Sequence, residues 1–258
     1  MAETIAVLSL KGGTGKTTTV RTLADVLRRV GLSVLTIDLD PQGNLSDYFD
    51  VPPDAAPTIA DVLSGGAKAK AAAHDGVIPA APALAEVERS LSGKMGRELV
   101  LRKALKDARK QHDVILIDCP PALGLLTING LVAADWALIS SEAQYFALQG
   151  VQGALDVIEQ AKEFYNPDLE WLGVVMNIAD MRTVHSREAY SQLTEAFGDK
   201  VFETVIRSSI AYAESAERAT SILDYRPDLG TDYVELAGEV LKRIGQDAAR
   251  KKLQPLRA

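Results

Sequence analysis

The residues best suited to chemistry form a glycine-rich run near the N-terminus, Lys11-Gly-Gly-Thr-Gly-Lys-Thr-Thr18. Glycines at positions 12, 13 and 15 allow backbone N–H groups to surround phosphate oxygens, where Cβ atoms would obstruct them. A helix beginning at Lys16 would add its positive dipole end, Lys16 would reach the β- and γ-phosphates, and the Thr17 hydroxyl would ligate Mg²⁺. The predicted cofactor contacts are Lys11, Gly12, Gly13, Thr14, Gly15, Lys16, Thr17 and Thr18.

This loop departs from the standard phosphate-loop pattern G-x-x-x-x-G-K-[ST] at its start. The pattern requires glycine at position 10, which is Leu10 in this chain, and Lys11 adds a lysine before the glycine pair. The run is therefore a deviant Walker A motif, with Lys16 as the ordinary lysine and Lys11 as the additional one.

Carboxylates follow two apolar runs that predict strands. Asp38 and Asp40 come directly after residues 34–37, and Asp118 directly after residues 115–117. Alternation along an extended backbone places Asp38 and Asp40 on the same side, so we expect both to approach Mg²⁺ or its waters. Asp118 has the Walker B form and would hold Mg²⁺ through water. The predicted metal site comprises Thr17, Asp40 and Asp118.

Other reactive side chains lack a comparable arrangement. Cys119 has no histidine near it in the sequence, so we interpret it as a packed thiol. The three histidines are scattered, without metal-ligand spacing. Asn177-Ile-Ala-Asp180 resembles the guanine-reading sequence Asn-Lys-x-Asp, with Ile178 in place of lysine, and GTP therefore remains an alternative to ATP.

The elements that would position these residues alternate between short apolar runs and helical patterns. Strands are predicted at 5–10, 33–37, 114–117, 136–139 and 171–176, and helices at 16–30, 58–63 and 151–164, with Thr58 capping the second helix. Residues 50–57 and 64–73 are predicted to be surface connections. Continuous apolar strands separated by amphipathic helices favour one α/β P-loop NTPase domain over residues 1–258. Its twisted sheet would be mostly parallel, with helices on both faces.

Composition narrows the functional class. The 258 residues are 47% apolar and 24% charged, with a single cysteine, which is typical of a globular protein in a reducing compartment. Neither a signal peptide nor an apolar run of about 18 residues is present, so we expect a cytoplasmic protein. The net charge is −7, yet a basic tail at 246–258 belongs to a stretch with six basic residues and one acid from Lys242 onward.

Several motifs together resemble the ParA/Soj chromosome and plasmid partition ATPases. They are Lys11 to Thr18, Asp38-Leu-Asp-Pro-Gln-Gly-Asn44, Asp118 to Asn129, Gln144 to Gly150, Asp180 to Thr183 and Phe202 to Ser209. The resemblance implies that Lys11 reaches the phosphates of a partner protomer across an ATP-sandwich dimer, with Gly12 where the protomers come close. It also implies that Asp40 orients the attacking water.

The same resemblance implies that Asn177, Arg207 and Ser209 lie near the adenine. Members of the group often have Pro-Arg-Asn where this chain has Arg207-Ser-Ser209, so the adenine contacts differ there. The first strand begins almost at the N-terminus, which leaves no room for a helix-turn-helix extension, and we expect no site-specific repression.

In such proteins the ATP-bound dimer binds non-specific DNA and associates with the nucleoid, and a ParB-like activator or cargo adaptor stimulates hydrolysis. Contacts to DNA phosphates would come from basic side chains and weaken with salt. The candidates are Arg218, Lys242, Arg243, Arg250, Lys251 and Lys252.

Two other functions compete with partition. A MinD-like membrane ATPase would need an amphipathic C-terminal helix with a bulky apolar face. Residues 246–258 supply two leucines, no aromatic residue and Pro255, so membrane binding is not expected. A metabolic relative is the other alternative. A shared iron–sulfur cluster needs two cysteines per chain, which this sequence lacks, whereas a biosynthetic ligase stays open.

Overall fold

A parallel sheet forms the centre of the structure, a computed structural model that describes residues 1–122, 124–144 and 146–256. The described residues form the strands β1 (Glu3–Leu8), β2 (Val34–Asp38), β3 (Val77–Ile78), β4 (Val114–Asp118), β5 (Trp136–Glu142), β6 (Glu170–Ala179) and β7 (Val201–Arg207). Their order is β3-β2-β4-β1-β5-β6-β7, and all neighbours pair in parallel. Strand order reverses beside the central β1, which is where ligands bind in open α/β sheets.

Helices cover both faces of this sheet. Those in the described residues are α1 (Lys16–Arg29), α2 (Asn44–Tyr48), α3 (Ile59–Ser64), α4 (Leu84–Leu91), α5 (Val100–Ala104), α6 (Leu125–Ala133), α7 (Ala147–Phe164), α8 (Val184–Phe197), α9 (Ala211–Glu217), α10 (Ile222–Tyr225), α11 (Pro227–Arg243) and α12 (Asp247–Lys251). In β1, Ile5 and Val7 join the core cluster that contains α1 and α11, whereas Ala6 and Leu8 join the cluster that contains α3 to α8. This alternation follows from the two-residue period of a strand and confirms the predicted fold class.

The predicted elements are present, with shifted ends. β1 ends at Leu8, two residues earlier than predicted, and α7 begins at Ala147, four residues earlier. Thr58 caps α3 as predicted, and the backbone N–H of Thr58 donates to the Asp61 carboxylate at 2.7 Å in a capping box. The sequence analysis did not identify β3, β7, α6 or α11.

The segment 64–73 differs from the prediction of a surface connection. Ala69 and Ala72 are buried in the core cluster beneath the sheet, with exposed fractions of 3% and 0%. A run rich in glycine, alanine and lysine can alternate small buried side chains with exposed charges, because alanine fits where larger residues would not. The other predicted connection, 50–57, contains no buried residue.

Helix α11 satisfies the backbone of the edge strand β7. The Glu239 carboxylate accepts from the N–H groups of Glu203 and Thr204 at 3.0 and 2.8 Å. Asp232, two turns earlier on the helix, accepts from the N–H of Arg207 at 3.1 Å. Pairing between β6 and β7 is irregular, so these side chains bind N–H groups that would otherwise lack partners. They also fix the backbone at the carboxyl end of β7, where the site begins.

Candidate functional site

The glycine-rich loop joins β1 to α1 at the carboxyl edge of the sheet. Gly13 and Gly15 have φ angles of 77° and 81°, in the left-handed region that favours glycine. Gly15 is the N-cap of α1, and the first backbone bond of the helix runs from Thr19 N–H to the Gly15 carbonyl at 2.9 Å. The N–H groups of the first turn therefore lack helical partners and face the loop, as an anion site requires.

Two side chains at the start of α1 meet the end of β4. The Thr17 hydroxyl donates to Asp118 Oδ2 at 2.6 Å, and Lys16 is buried nearby. Asp118 Oδ1 is buried and has no hydrogen-bond partner within the described parts of the chain. Burial, and next the negative charge of Asp38, raise the pKa of the Asp118 carboxyl to about 8. A dication would offset both effects, so the residues present fit a magnesium ion held by Thr17 and Asp118.

The small number of carboxylates beside Thr17 and Asp118 is also typical of a magnesium site. No cluster of three or more His, Cys, Asp or Glu side chains able to hold a metal occurs among the residues that the structure describes. Magnesium usually takes one or two carboxylates together with substrate phosphates and waters. When bound, the ion would neutralise charge on the phosphate oxygens, while Thr17 and Asp118 hold it beside the loop.

Replacing Asp118 with Asn should raise the Mg²⁺ concentration for half-maximal ATP hydrolysis by at least about 10-fold, because a neutral amide attracts the cation less. A magnesium titration of the hydrolysis rate measures this shift, with Asp107→Asn as a control at an exposed site. An unchanged magnesium requirement in Asp118→Asn would remove this residue from the metal site.

Asp38 and Asp40, which the sequence predicts to approach the metal or its waters together, have different environments. Asp38 is buried, and its oxygens accept from Asp40 N–H at 3.1 Å, Ser46 N–H at 2.9 Å and the Ser46 hydroxyl at 2.7 Å. Burial raises the pKa of the Asp38 carboxyl to about 6. Asp38 therefore orders the loop 39–46. The Asp40 side chain is half-buried, lines the cleft and accepts only from Gln42 N–H, at 3.0 Å, among the bonds described.

Lys11 points away from its own phosphate loop. Its Nζ donates to Glu142 Oε2 at 2.8 Å and to Gln144 Oε1 at 2.6 Å, and Gln144 Nε2 donates to Glu142 Oε1 at 2.6 Å. The side chain is 61% exposed and does not line the nucleotide cleft formed by the described residues. The contacts of Glu142 and Gln144 with Lys11 were not predicted from the sequence, because these residues become neighbours only when β5 pairs with β1.

The loop opens into a cleft of about 710 Å³, within the range of small-molecule and cofactor sites. One end is lined by residues 12–18, Asp40 and Asn44, and the other by Tyr48 and residues of β7, α9 and α11, with Asn177 of β6 against Gly15. The lining includes Gly12, Gly13, Thr14, Gly15, Lys16, Thr17, Thr18, Asp40, Asn44, Asn177, Arg207, Ser209, Tyr48, Tyr212 and Tyr233. All predicted cofactor contacts except Lys11 are therefore in one cleft.

The end of the cleft far from the loop is aromatic. The rings of Tyr212 and Tyr233 are 6.0 Å apart and nearly perpendicular, and the Tyr48 hydroxyl lies 2.6 Å from Ser215 Oγ. Apolar walls with few polar groups suit a planar base. These tyrosines were not predicted from the sequence, because each is an isolated aromatic residue outside the motifs.

Arg207 and Ser209 line this end but use their polar groups within the chain. The Arg207 guanidinium pairs with Asp232 at 2.9 Å and donates to the Asp228 carbonyl. Ser209 Oγ accepts from Ala211 N–H at 3.2 Å. Both residues are therefore placed to shape the cleft, and contact with a base would need their polar groups to change partners.

Asn177 and Asp180 separate in the structure, which argues against guanine reading. Asn177 lines the cleft, whereas Asp180 does not and pairs instead with Arg182 at 2.9 Å. A guanine-reading pair needs both side chains at the base. Cys119 is fully buried, and burial raises the pKa of its thiol, so it is a packed thiol as interpreted from the sequence.

The basic candidates for DNA contact fall into separate regions. Arg218 is exposed at the end of α9, which lines the cleft, with its guanidinium 5.2 Å from the centre of the Tyr225 ring. The C-terminal cations, defined as Lys242, Arg250, Lys251 and Lys252, are all exposed on or beside the end of α11 and α12. The remaining basic residue of the tail, Arg257, lies outside the described residues.

Arg243 does not belong with these candidates. Its guanidinium donates to the carbonyls of Leu172 and Lys200 at 2.8 and 3.2 Å and stacks 3.8 Å from the centre of the Phe202 ring. These contacts place the end of α11 against the starts of β6 and β7, at the edge of the sheet opposite the cleft. The N–H groups of the Arg243 guanidinium are engaged by backbone carbonyls within the protein. We therefore exclude Arg243 from the residues proposed to contact DNA.

None of the helices in the part of the chain that the structure describes is both long enough and apolar enough to span a membrane.

Comparison with known proteins gives consistent matches over nearly the whole chain. A family model described as an AAA domain matches residues 2–171. The sporulation initiation inhibitor protein Soj of Bacillus subtilis is 36% identical over 249 residues, covering 93% of this chain and 98% of that protein. The chromosome-partitioning ATPase Soj of Thermus thermophilus is 37% identical over 246 residues, covering 93% of this chain and 96% of its own length.

A solved structure is also similar. It is that of cobyrinic acid a,c-diamide synthase from Mycobacterium smegmatis with a bound ATP analogue and magnesium. The TM-score is 0.77 at 34% identity, and the match covers 84% of this chain and 92% of the other. The fold thus has a counterpart that was solved with a bound ATP analogue and magnesium.

Proposed function

This chain belongs to the family of ParA/Soj partition ATPases, uses ATP and Mg²⁺, and serves as a positioning ATPase; from that premise we propose how it works. Two copies dimerise around ATP, and the ATP-bound dimer binds DNA non-specifically. A ParB-like activator or cargo adaptor stimulates an otherwise slow hydrolysis and so releases the dimer. In this way the protein segregates or positions DNA or another cargo, in the cytoplasm and on the nucleoid.

The position of Lys11 is the main observation that supports a dimer. Its ammonium group is exposed and held by Glu142, outside the cleft that contains Lys16. Lys11 does not line the cleft of its own chain. Its ammonium group is therefore available to bind the phosphates of ATP held by a partner chain. Slow hydrolysis by the single chain follows, because a cation supplied in trans contributes about 10³ to 10⁵ in rate in comparable enzymes.

Exposed apolar side chains around the cleft also support a dimer. Three of them follow the carboxyl ends of β5, β6 and β7, on the same edge of the sheet as the phosphate loop, and the fourth, Ile178, lies within the end of β6 and lines the cleft. They are Phe146 (65% exposed), Ile178 (38%), Val184 (57%) and Ile210 (74%). Apolar groups gathered beside a ligand cleft mark surfaces that another molecule covers. A second copy with ATP between the chains would cover this edge.

DNA binding must be local, because the whole chain has a net charge of −7. Arg218 is exposed at the end of the helix that lines the cleft, so its surroundings can respond to the nucleotide. The C-terminal cations lie on a separate, solvent-exposed stretch. We assign the ATP-dependent part of binding to Arg218 and a further electrostatic part to the C-terminal cations.

The buried leucines of the C-terminal segment weigh against the MinD-like alternative. Leu253 is 0% exposed, and the half-buried Leu256 packs against the core cluster of α1 and α11. Both leucines therefore contact this protein, and a membrane would meet mainly charged side chains. A ligase is less favoured because the relatives named as Soj proteins cover 93% of the chain, whereas the cobyrinic acid a,c-diamide synthase structure covers 84% at a slightly lower identity.

Single charge reversals test the DNA surface. We expect Arg218→Glu and Lys251→Glu each to weaken binding to duplex DNA and to flatten its salt dependence by about one unit of slope per lost phosphate contact. Lys106→Glu changes the same charge at an exposed site on the opposite face and should bind as the unmodified protein does. Binding is measured with ATP and with ADP over a series of salt concentrations. Equal DNA affinity in all three variants would contradict this surface.

A further inference from the structure

A buried chain of hydrogen bonds connects the phosphate loop to Asn177, which lines the cleft. Ser140, on β5, donates its hydroxyl proton to the Thr14 carbonyl at 2.7 Å. Its oxygen accepts from Asn177 Nδ2 at 2.6 Å. The three residues have exposed fractions of 2% or less, so water cannot replace these bonds. Ser140 thus joins the phosphate loop to Asn177 through its single hydroxyl.

The single proton of Ser140 determines how the Asn177 amide is oriented. A hydroxyl donates one hydrogen bond, and here that bond goes to the Thr14 carbonyl. The hydroxyl oxygen can then only accept, so the amide must present its NH₂ group to it. A rotated amide would place Oδ1 against an oxygen with no proton to give. Asn177 Nδ2 also lies 3.3 Å from Thr19 Oγ1, a second acceptor in the same direction.

The fixed amide leaves an acceptor unused. Asn177 Oδ1 is buried and has no hydrogen-bond partner among the residues that the structure describes, which is ordinarily unfavourable for an acceptor. The next residue, Ile178, has a φ of 54°, a left-handed conformation that is rare for a β-branched side chain. An unpaired polar atom and a strained backbone therefore occur at two adjacent residues that line the cleft.

We propose that Ser140 is a positioning residue for base selectivity. By fixing the Asn177 amide, it presents Oδ1 to the nucleotide as an acceptor. An acceptor pairs with the exocyclic amine of adenine and opposes the carbonyl oxygen that hypoxanthine and guanine have at the same ring position. The proposal depends on nucleotide binding alone and is independent of dimerisation and DNA binding.

Affinities for nucleoside diphosphates test this role, since they lack the γ-phosphate and keep dimerisation out of the measurement. Dissociation constants for ADP and inosine diphosphate are measured by calorimetry on the unmodified protein, Ser140→Ala and Ser140→Thr. We expect the unmodified protein to prefer ADP by about 10-fold, the value of one well-placed hydrogen bond of about 1.4 kcal/mol. Ser140→Ala should reduce the ratio of the ADP affinity to the inosine diphosphate affinity to near one, chiefly by weakening the binding of ADP. Ser140→Thr keeps the hydroxyl and should restore the preference.

The ratio of the two affinities separates positioning from a structural role. If Ser140→Ala weakens ADP and inosine diphosphate by the same factor, Ser140 merely supports the loop, and the proposal is overturned. An unmodified protein that binds both nucleotides equally would also overturn it. Ser141→Ala removes the neighbouring hydroxyl, whose only described bond is a 3.5 Å contact to the Glu142 carbonyl, and should leave the ratio unchanged. Failure to bind ADP at all would instead contradict the ATPase assignment.

Discussion

Lys11→Ala should abolish ATP-dependent dimerisation and lower the activator-stimulated rate of ATP hydrolysis by at least about 10³-fold. Binding of ADP to the single chain should change little, because Lys11 does not line its own cleft. The alanine removes a cation that we assign to the partner's phosphates, whereas Lys16 stays in place beside Thr17 and Asp118. Loss of assembly with retained nucleotide binding is the combination that distinguishes a lysine acting in trans.

The bond between Lys11 and Glu142 does not oppose this role. An exposed ion pair contributes about 0–1 kcal/mol, and the Lys11 side chain is 61% exposed. Breaking the Lys11–Glu142 ion pair therefore costs little free energy. The interaction of Lys11 with the multiply charged phosphates of a partner's ATP stabilises the dimer by more than this cost.

Light scattering after size-exclusion chromatography, with ATP and with ADP, measures the assembly of Lys11→Ala. Lys106→Ala is the matched control, since it removes an exposed lysine outside the cleft. A Lys11→Ala protein that dimerises with ATP as the control does would contradict the assignment in trans.

Asp40→Ala should lower ATP hydrolysis by about 10²- to 10⁴-fold while ATP-dependent dimers still form. The Asp40 carboxylate lines the cleft, and its described bond, to Gln42 N–H, leaves one oxygen available to orient a water molecule. Its removal should therefore leave ATP in place and the dimer trapped on DNA.

Single-turnover hydrolysis and dissociation from immobilised DNA measure these two effects. Asp54→Ala, at an exposed site in the loop 50–57, serves as the control. Hydrolysis by Asp40→Ala at the unmodified rate would assign the water-orienting role elsewhere. Asp38→Ala should behave differently and destabilise the fold, because its buried oxygens accept three hydrogen bonds from the loop 39–46.

The parts of the site that could be predicted are those encoded in adjacent residues. The phosphate loop, Thr17 and the position of Asp118 follow from short motifs, because a glycine turn between a strand and a helix has few alternatives. The different roles of Asp38 and Asp40 could not be predicted in this way. Both look equivalent in an extended chain, and it is Ser46, eight residues after Asp38, that accounts for two of its three bonds.

Contacts between residues that are far apart in the chain could not be predicted from local sequence patterns. Lys11 and Glu142 are 131 positions apart and meet only through the pairing of β1 with β5. Arg243 looked like one more cation in a basic stretch, yet the packing of α11 directs it to strand carbonyls. Its role depends on β7, which the sequence analysis did not identify as a strand.

The most direct test of the central claim is retention on duplex DNA, compared with co-sedimentation on anionic liposomes, with ATP and with ADP. Hydrolysis is measured in the same samples with and without DNA. We expect the unmodified protein to be retained on DNA with ATP, to be released at high salt and to show no liposome binding. Retention should persist in Asp40→Ala. Liposome binding without DNA binding would contradict the partition function and favour the MinD-like alternative.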